Sequence, residues 1–153
     1  MATTLKQQIR GDLTTAMRAR DDLRVSTLRL VIAAIGKAEV AGDTATELDD
    51  DTVLGLLASE VRKRSEAADL YAKGGRRELA DKERAEAEII GSYLPAALGD
   101  DELAAIVADE VAKVDSASAG KAMGAVIKAV RERVGQQADG ARVANAVKAA
   151  LGA

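Results

Sequence analysis

The sequence contains no cysteine and no histidine. Without cysteine the chain can form no disulfide, no thiolate nucleophile and no sulfur ligand for zinc or an iron–sulfur cluster. Without histidine it cannot encode a Ser-His-Asp triad or bind a metal through imidazole. Any catalysis would have to use Asp, Glu, Lys, Tyr, Ser or Thr, so thiol, triad and imidazole chemistries are excluded.

Aromatic side chains are almost as scarce, since the chain has no Phe, no Trp and only Tyr71 and Tyr93. A hydrophobic core must therefore be built from Ala, Val, Leu and Ile, which pack in well-defined rotamers. Proteins that bind single-stranded nucleic acid commonly stack the bases on aromatic rings. This sequence cannot supply such a platform, which excludes that mode of RNA binding.

A single proline, Pro95, and scattered glycines divide the chain into segments with helical periodicity. No alternating apolar and polar pattern of strand length stands out. The pattern predicts an all-α protein with an N-terminal bundle of about four helices over residues 1–95 and a small three-helix C-terminal domain over residues 96–153. The boundary is placed at Pro95 because proline disfavours the helical conformation in the preceding residue.

Two helices are predicted in more detail. The first should bury a face formed by residues at steps of four, namely Leu5, Ile9, Leu13 and Met17. The fourth is expected to run from about Arg76 through Tyr93. For the C-terminal domain, Asp100 or Asp101 is predicted to cap the fifth helix, and Ser116 or Ser118 the sixth.

Two acidic clusters invite a catalytic or metal-binding interpretation. Residues 48–51 contain three consecutive Asp side chains, and carboxylates suit Mg²⁺ and Ca²⁺. The alternating ligands of a calcium loop are missing, however, and acidic residues at a helix start are explained by the helix dipole. The fourth helix carries three glutamates, Glu83, Glu86 and Glu88. Nothing in the sequence buries them, so they are expected to form surface ion pairs with Lys82 and Arg84. The sequence therefore predicts no catalytic residue, no metal site and no cofactor.

Charge is unevenly distributed in the C-terminal part, although the whole chain has a net charge of −3. Residues 96–115 contain six acidic side chains and a single basic one. Six basic residues follow: Lys121, Lys128, Arg131, Arg133, Arg142 and Lys148. They could bind a phosphate backbone, and we consider them as candidate tRNA-binding residues. The commoner explanation is that acidic and basic helices attract one another within the fold.

The first twenty residues contain no continuous apolar run of the kind that a signal peptide or a membrane span requires. We therefore expect a cytoplasmic protein with no membrane contact.

Three segments are distinctive enough to suggest a family. They are DDLRVSTLRLVIAAIGKAEV (21–40), KRSEAADLYAKGGRRELADKERAEAEIIGSYLP (63–95), and GKAMGAVIKAV followed by ADG (within 120–140). They closely resemble the YqeY branch of the GatB/YqeY family, in order and over nearly the whole chain. Several basic residues fall in the N-terminal motifs, and the resemblance assigns them no role: Arg24, Arg29, Lys63, Arg64, Arg76 and Arg77.

The resemblance implies a function for the C-terminal part. In this family that part is similar to the helical tail of the B subunit of the aspartyl/glutamyl-tRNA amidotransferase, which helps to hold tRNA. The tail motif falls on Lys121 and Lys128 together with five further residues: Gly124, Gly135, Ala138, Asp139 and Gly140. The carbon–nitrogen ligase chemistry of that enzyme, with glutamine as amide donor, belongs to a separate domain.

These observations favour a non-catalytic binding module related to the amidotransferase, with tRNA or a tRNA-linked protein complex as its partner. The alternative is a helical adaptor for protein–protein interactions with no RNA role. An enzyme that uses carboxylates alone is a third and weaker hypothesis.

Overall fold

The computed structural model describes residues 2–115 and 120–152, and all regular secondary structure in this part of the chain is helical. The helices are α1 (Leu5–Ala19), α2 (Asp22–Glu39), α3 (Asp50–Lys73), α4 (Arg77–Gly91), α5 (Asp100–Val111), α6 (Met123–Val134) and α7 (Gly140–Leu151), with a 3₁₀ turn at Gly135–Gln137. The all-α prediction is confirmed. The chain divides into two compact units, Met1–Leu94 (unit 1) and Pro95–Ala153 (unit 2).

The helices of unit 1 begin at side chains that cap them. The Thr4 hydroxyl accepts a hydrogen bond from the Gln7 amide at 3.2 Å, and the Gln7 side chain accepts one from the Thr4 amide at 3.0 Å. This reciprocal pair satisfies two amides at the helix N-terminus. Asp49 caps α3 through the Thr52 amide at 2.8 Å. The acidic run at residues 48–51 is thus a helix start, as predicted.

The core of unit 1 contains residues from all four of its helices: Ile9, Leu28, Val31, Ile35, Val53, Leu57 and Ile90. The prediction of the buried face of α1 is partly wrong, because Met17 is 50% exposed and Ala16 is buried in its place. Steps of four residues advance about 40° around a helix of 3.6 residues per turn. From Ile9 to Met17 this drift carries the side chain away from the core.

The helix α4 ends at Gly91, two residues earlier than predicted. The following residues form tight turns, in which the Tyr93 amide donates to the Ile90 carbonyl at 3.2 Å. The Tyr93 hydroxyl donates to Asp12 at 2.5 Å. Burial and this hydrogen bond raise the pKa of Tyr93, so the phenol remains a neutral donor that ties the segment after α4 to α1.

An ion-pair network joins α3 to α4. Arg64 donates to Glu86 at 3.2 Å and to Glu60 at 2.6 Å. The side chains of Arg64 and Glu86 are only 12% and 9% exposed. The prediction that Glu86 lies at the surface is wrong, because the fold buries it and supplies an arginine as its partner.

Unit 2 is built around a second core of small aliphatic side chains: Leu103, Val107, Val126, Val130, Val134, Ala138, Val143 and Val147. The helix α5 is capped by Gly99, so the prediction of an Asp cap is wrong. Asp100 is already the first helical residue, and its carboxylate accepts a hydrogen bond from Arg142 at 2.9 Å. The predicted caps Ser116 and Ser118 lie outside the described residues.

A tight connection between α6 and α7 forms one corner of unit 2. Gly135 ends α6 with a φ of +55°, a conformation that favours glycine. Asp139 then caps α7 by accepting a hydrogen bond from the Arg142 amide at 2.8 Å. The Leu98 amide donates to the Gln137 carbonyl at 2.8 Å and anchors this corner to the segment before α5.

Candidate nucleic-acid interface

An open groove of about 470 Å³ lies on the outer face of α6. The helix buries Val126, Val130 and Val134, which follow one another at steps of four. The residues on its other side therefore face outward. We call this feature the α6 groove, and its lining residues are Gly124, Ile127, Lys128, Arg131, Glu132, Gly135 and Gln136.

Three charged side chains line the α6 groove, and all are exposed. Within the described residues, Lys128, Arg131 and Glu132 form no salt bridge. Lys128 precedes Glu132 by four residues, which is the less favourable order for a helical ion pair. Their charges are therefore available to a ligand.

The guanidinium of Arg131 lies next to the first residue of α7. A Cβ placed on Gly140 would be 3.9 Å from Arg131 Cζ. The N-terminus of a helix carries partial positive charge, so it does not stabilise a neighbouring cation, although the Asp139 cap offsets part of this. An anion in this position would interact favourably with the guanidinium, whereas the Asp139 carboxylate already occupies the helix terminus.

Two of the six predicted basic residues are used inside the fold. Arg133 donates to Asp109 at 3.0 Å and to Glu110 at 3.1 Å. The hydrogen bonds from Lys113 and then Arg133 lower the pKa of Glu110, and those to Asp109 and then Glu110 raise the pKa of Arg133.

Arg142 forms the second internal pair, with Asp100 of α5. The attraction between acidic and basic helices, considered above as the commoner explanation, therefore accounts for Arg133 and Arg142.

The other two predicted basic residues are exposed but lie outside the lining of the α6 groove. Lys121 is in the turn before α6, and Lys148 is in the last turn of α7. In the described part of the chain neither forms a salt bridge. Of the predicted basic set, the structure thus brings Lys128 and Arg131 together in one groove.

The predicted tail-motif residues shape the same corner. A Cβ on Gly124 would meet no described atom within 4 Å, so packing against a neighbouring helix does not explain this glycine. Gly135 is required by its backbone conformation. Ala138 is buried in the core, and Asp139 and Gly140 begin α7.

Sequence reasoning missed two polar residues of the α6 groove. Glu132 follows Lys128 by four residues, which places both along one side of α6, and Gln136 lies in the 3₁₀ turn after this helix. That spacing was the available signal.

A second open groove, of about 420 Å³, lies at the turn between α3 and α4 and is lined by Gly75, Arg76, Arg77, Glu78 and Leu79.

Among the described residues, no group of three or more acidic side chains is arranged to hold a metal ion. No helix in the same part of the chain is long and apolar enough to cross a membrane.

The fold and the groove define a class: a small all-helical protein whose second unit exposes unpaired cations in an open groove. This chain belongs to the family of Yqey-like proteins, whose family model matches residues 6–151. The resemblance drawn from the sequence motifs is confirmed.

Curated relatives from yeasts are similar over part of their length. The protein "Altered inheritance of mitochondria protein 41, mitochondrial" of Vanderwaltozyma polyspora is 33% identical over 86 residues, which cover 56% of this chain and 46% of the relative. The protein of that name from Clavispora lusitaniae is 28% identical over 131 residues, covering 84% and 75%. An uncharacterized Schizosaccharomyces pombe protein is 30% identical over 92 residues, covering 60% and 72%. The chain spans about half the length of the first of these relatives.

The predicted cytoplasmic location is contradicted, since the relatives named "Altered inheritance of mitochondria protein 41, mitochondrial" are described as mitochondrial. The prediction rested on the lack of an apolar run near the start of the sequence. Mitochondrial transit peptides are amphipathic and Arg-rich rather than continuously apolar. The pattern that was sought could therefore not have distinguished the two locations.

Proposed function

We propose that this protein is a non-catalytic accessory module that binds tRNA, or a protein complex carrying tRNA, through the α6 groove. The observation that carries the proposal is that Lys128 and Arg131 line the same groove and neither forms a salt bridge within the described residues. Lysine and arginine bind phosphates and release the counterions condensed around them. The resemblance of the C-terminal part to the amidotransferase B-subunit tail supports the same function.

Of the six basic residues first considered, we assign the principal phosphate contacts to Lys128 and Arg131. Lys121 and Lys148 are exposed and add positive charge to the same unit. Arg133 and Arg142 hold α5 against α6 and α7 through their ion pairs. The proposed interface is therefore smaller than the basic set in the sequence.

We further propose that residues 96–153 form a three-helix domain of the amidotransferase-tail type, and residues 1–95 a separate four-helix domain. The separate cores of the two units support this division. A fragment beginning at residue 96 should fold by itself and show a cooperative thermal transition by circular dichroism. A fragment that remains unfolded while the full chain is folded would refute the boundary.

Any carbon–nitrogen ligase activity with glutamine as amide donor is assigned here to a different domain or protein. The chain has no cysteine or histidine to release ammonia from glutamine, and no glycine-rich nucleotide loop. Glutamine- and ATP-dependent amide transfer by the pure protein would contradict this assignment.

The proposed function is tested by measuring the binding of total tRNA to the full chain at several salt concentrations. The double variant Lys128→Ala, Arg131→Ala should reduce the slope of log affinity against log salt by about 1 to 2. The control is Arg18→Ala, Arg29→Ala, which removes two exposed arginines of unit 1 and the same net charge. If both double variants bind tRNA like the original chain, the proposal is wrong.

A protein–protein adaptor is the second candidate, and one observation favours it. Leu70 on α3 and Leu79 on α4 are 70% and 39% exposed, and Leu79 lines a groove together with Arg76 and Arg77. Exposed apolar side chains next to arginines are typical of protein interfaces rather than of phosphate contacts. If the adaptor is the correct function, tRNA binding should be absent at low salt.

A further inference from the structure

The α6 groove contains more than cations, because Glu132 and Gln136 line it together with Lys128 and Arg131. A phosphate backbone offers a protein only acceptor oxygens and negative charge. The Glu132 carboxylate is acceptor-only as well and repels phosphates. A groove for phosphate alone would gain affinity by losing Glu132, so the arrangement fits a ligand that carries hydrogen-bond donors beside its phosphate.

We propose that the α6 groove takes one unpaired nucleotide of the RNA and that Glu132 makes guanine the preferred base. This inference rests on the proposed RNA-binding function. Guanine carries two adjacent donors, N1–H and the N2 amino group, on its Watson–Crick edge. A carboxylate has two acceptor oxygens that can receive both, whereas adenine, cytosine and uracil each offer that edge one donor group. Sequence-specific RNA recognition reads such edges on unpaired bases.

The α6 groove has groups for both parts of a nucleotide. Lys128 and Arg131 supply cations, and Glu132 and Gln136 supply hydrogen-bonding groups. The phosphate would pair with the two cations, and the base edge would reach the carboxylate and the amide. Gln136 can both donate and accept, so it can complete the hydrogen bonding of the base.

The size and the apolar part of the groove agree with this ligand. Its volume of about 470 Å³ lies in the range of small-molecule sites. Gly124 and Gly135 have no described atom within 4 Å of a Cβ position, so a flat base can approach the backbone. Ile127 supplies the apolar surface that an aromatic ring provides in other RNA-binding proteins.

The test uses the full chain and short RNA hairpins that differ in one loop nucleotide, guanosine, adenosine, cytidine or uridine, among otherwise identical uridines. The guanosine hairpin should bind roughly tenfold more tightly than the others. Glu132→Gln should bring the four affinities to within about threefold of one another, because an amide cannot accept both donors.

The matched control is Asp101→Asn, which removes one exposed carboxylate of α5 and the same charge. It should raise the affinity for every hairpin equally and keep the guanosine preference. Equal binding of all four hairpins by the original chain, or a preference that survives Glu132→Gln, would overturn the nucleotide site while tRNA binding through Lys128 and Arg131 stands. Failure to bind any hairpin or tRNA overturns both proposals.

Discussion

Arg133 on α6 donates a hydrogen bond of 3.1 Å to the carboxylate of Glu110 on α5. Arg131, only two residues earlier, lies in the α6 groove. Two residues of a helix are about 200° apart around its axis, so these arginines face opposite sides. One holds the fold of unit 2 together, and the other is free for a ligand. Their substitution should therefore have separable effects.

Arg133→Ala should lower the melting temperature of the protein and leave its tRNA affinity within about twofold, because its ion pairs are internal. Arg131→Ala should leave the melting temperature nearly unchanged and weaken tRNA binding. Thermal unfolding followed by circular dichroism and a tRNA titration at fixed salt measure the two effects. A loss of tRNA affinity in a fully stable Arg133→Ala variant would show that the internal pair is not its main role.

Arg64→Ala should destabilise unit 1 by about 3 kcal/mol, because it leaves Glu86 buried with only the exposed Lys82, at 4.0 Å, as a cationic partner. The double variant Arg64→Met, Glu86→Leu should recover most of this loss, since apolar side chains of similar volume remove both buried charges. Urea denaturation gives the free energies of unfolding. A double variant less stable than the single one would mean that the ion pair itself is net stabilising.

Gly135→Ala and Gly124→Ala should change stability in opposite directions. Gly135 has a φ of +55°, so alanine there should cost about 1–3 kcal/mol. Gly124 lies in the first turn of α6 with open space around it, so alanine should stabilise the protein by about 0.5 kcal/mol. Denaturant midpoints of the two variants test this pair. Equal losses at both positions would contradict the assigned roles.

Glu39→Gln should destabilise the protein at pH 7, and the difference should disappear in acid. Lys6 donates to Glu39 at 2.7 Å and, with the Leu48 amide, lowers the pKa of Glu39 below 4.5 in the folded state. A lowered pKa contributes stability above the unfolded value that is lost as the pH falls through the folded value. Unfolding measured between pH 7 and pH 3 should show the two proteins converging below about pH 4.5. A gap that stays constant with pH would argue against the ion pair.

The location of the candidate site was only partly predictable from the sequence. Lys128 and Arg131 could be named, because positive charge follows directly from residue type. The sequence could not predict that Arg133 and Arg142 lie outside the site, because their partners Glu110 and Asp100 are 23 and 42 positions away. Glu132 and Gln136 were missed, although the helical spacing of Glu132 from Lys128 was visible.

The sequence by itself determined the helical class, the missing chemistries and the family. These conclusions depend on the apolar spacing, the single proline and the absence of cysteine and histidine. None of these features depends on which residues come together in the folded protein. The start of α3 also follows from local sequence, because Asp49 caps this helix through an amide three residues away.

Only the tertiary structure decided which charges are free. Whether a cation binds a ligand or stabilises the fold depends on which carboxylates approach it, and Coulomb attraction acts through space rather than along the chain. The burial of Glu86 beside Arg64 and the open face of Gly124 were settled in the same way. The α6 groove exists because Val126, Val130 and Val134 pack one face of α6 into the core. Lys128 and Arg131 lie on the other face and remain outside the core.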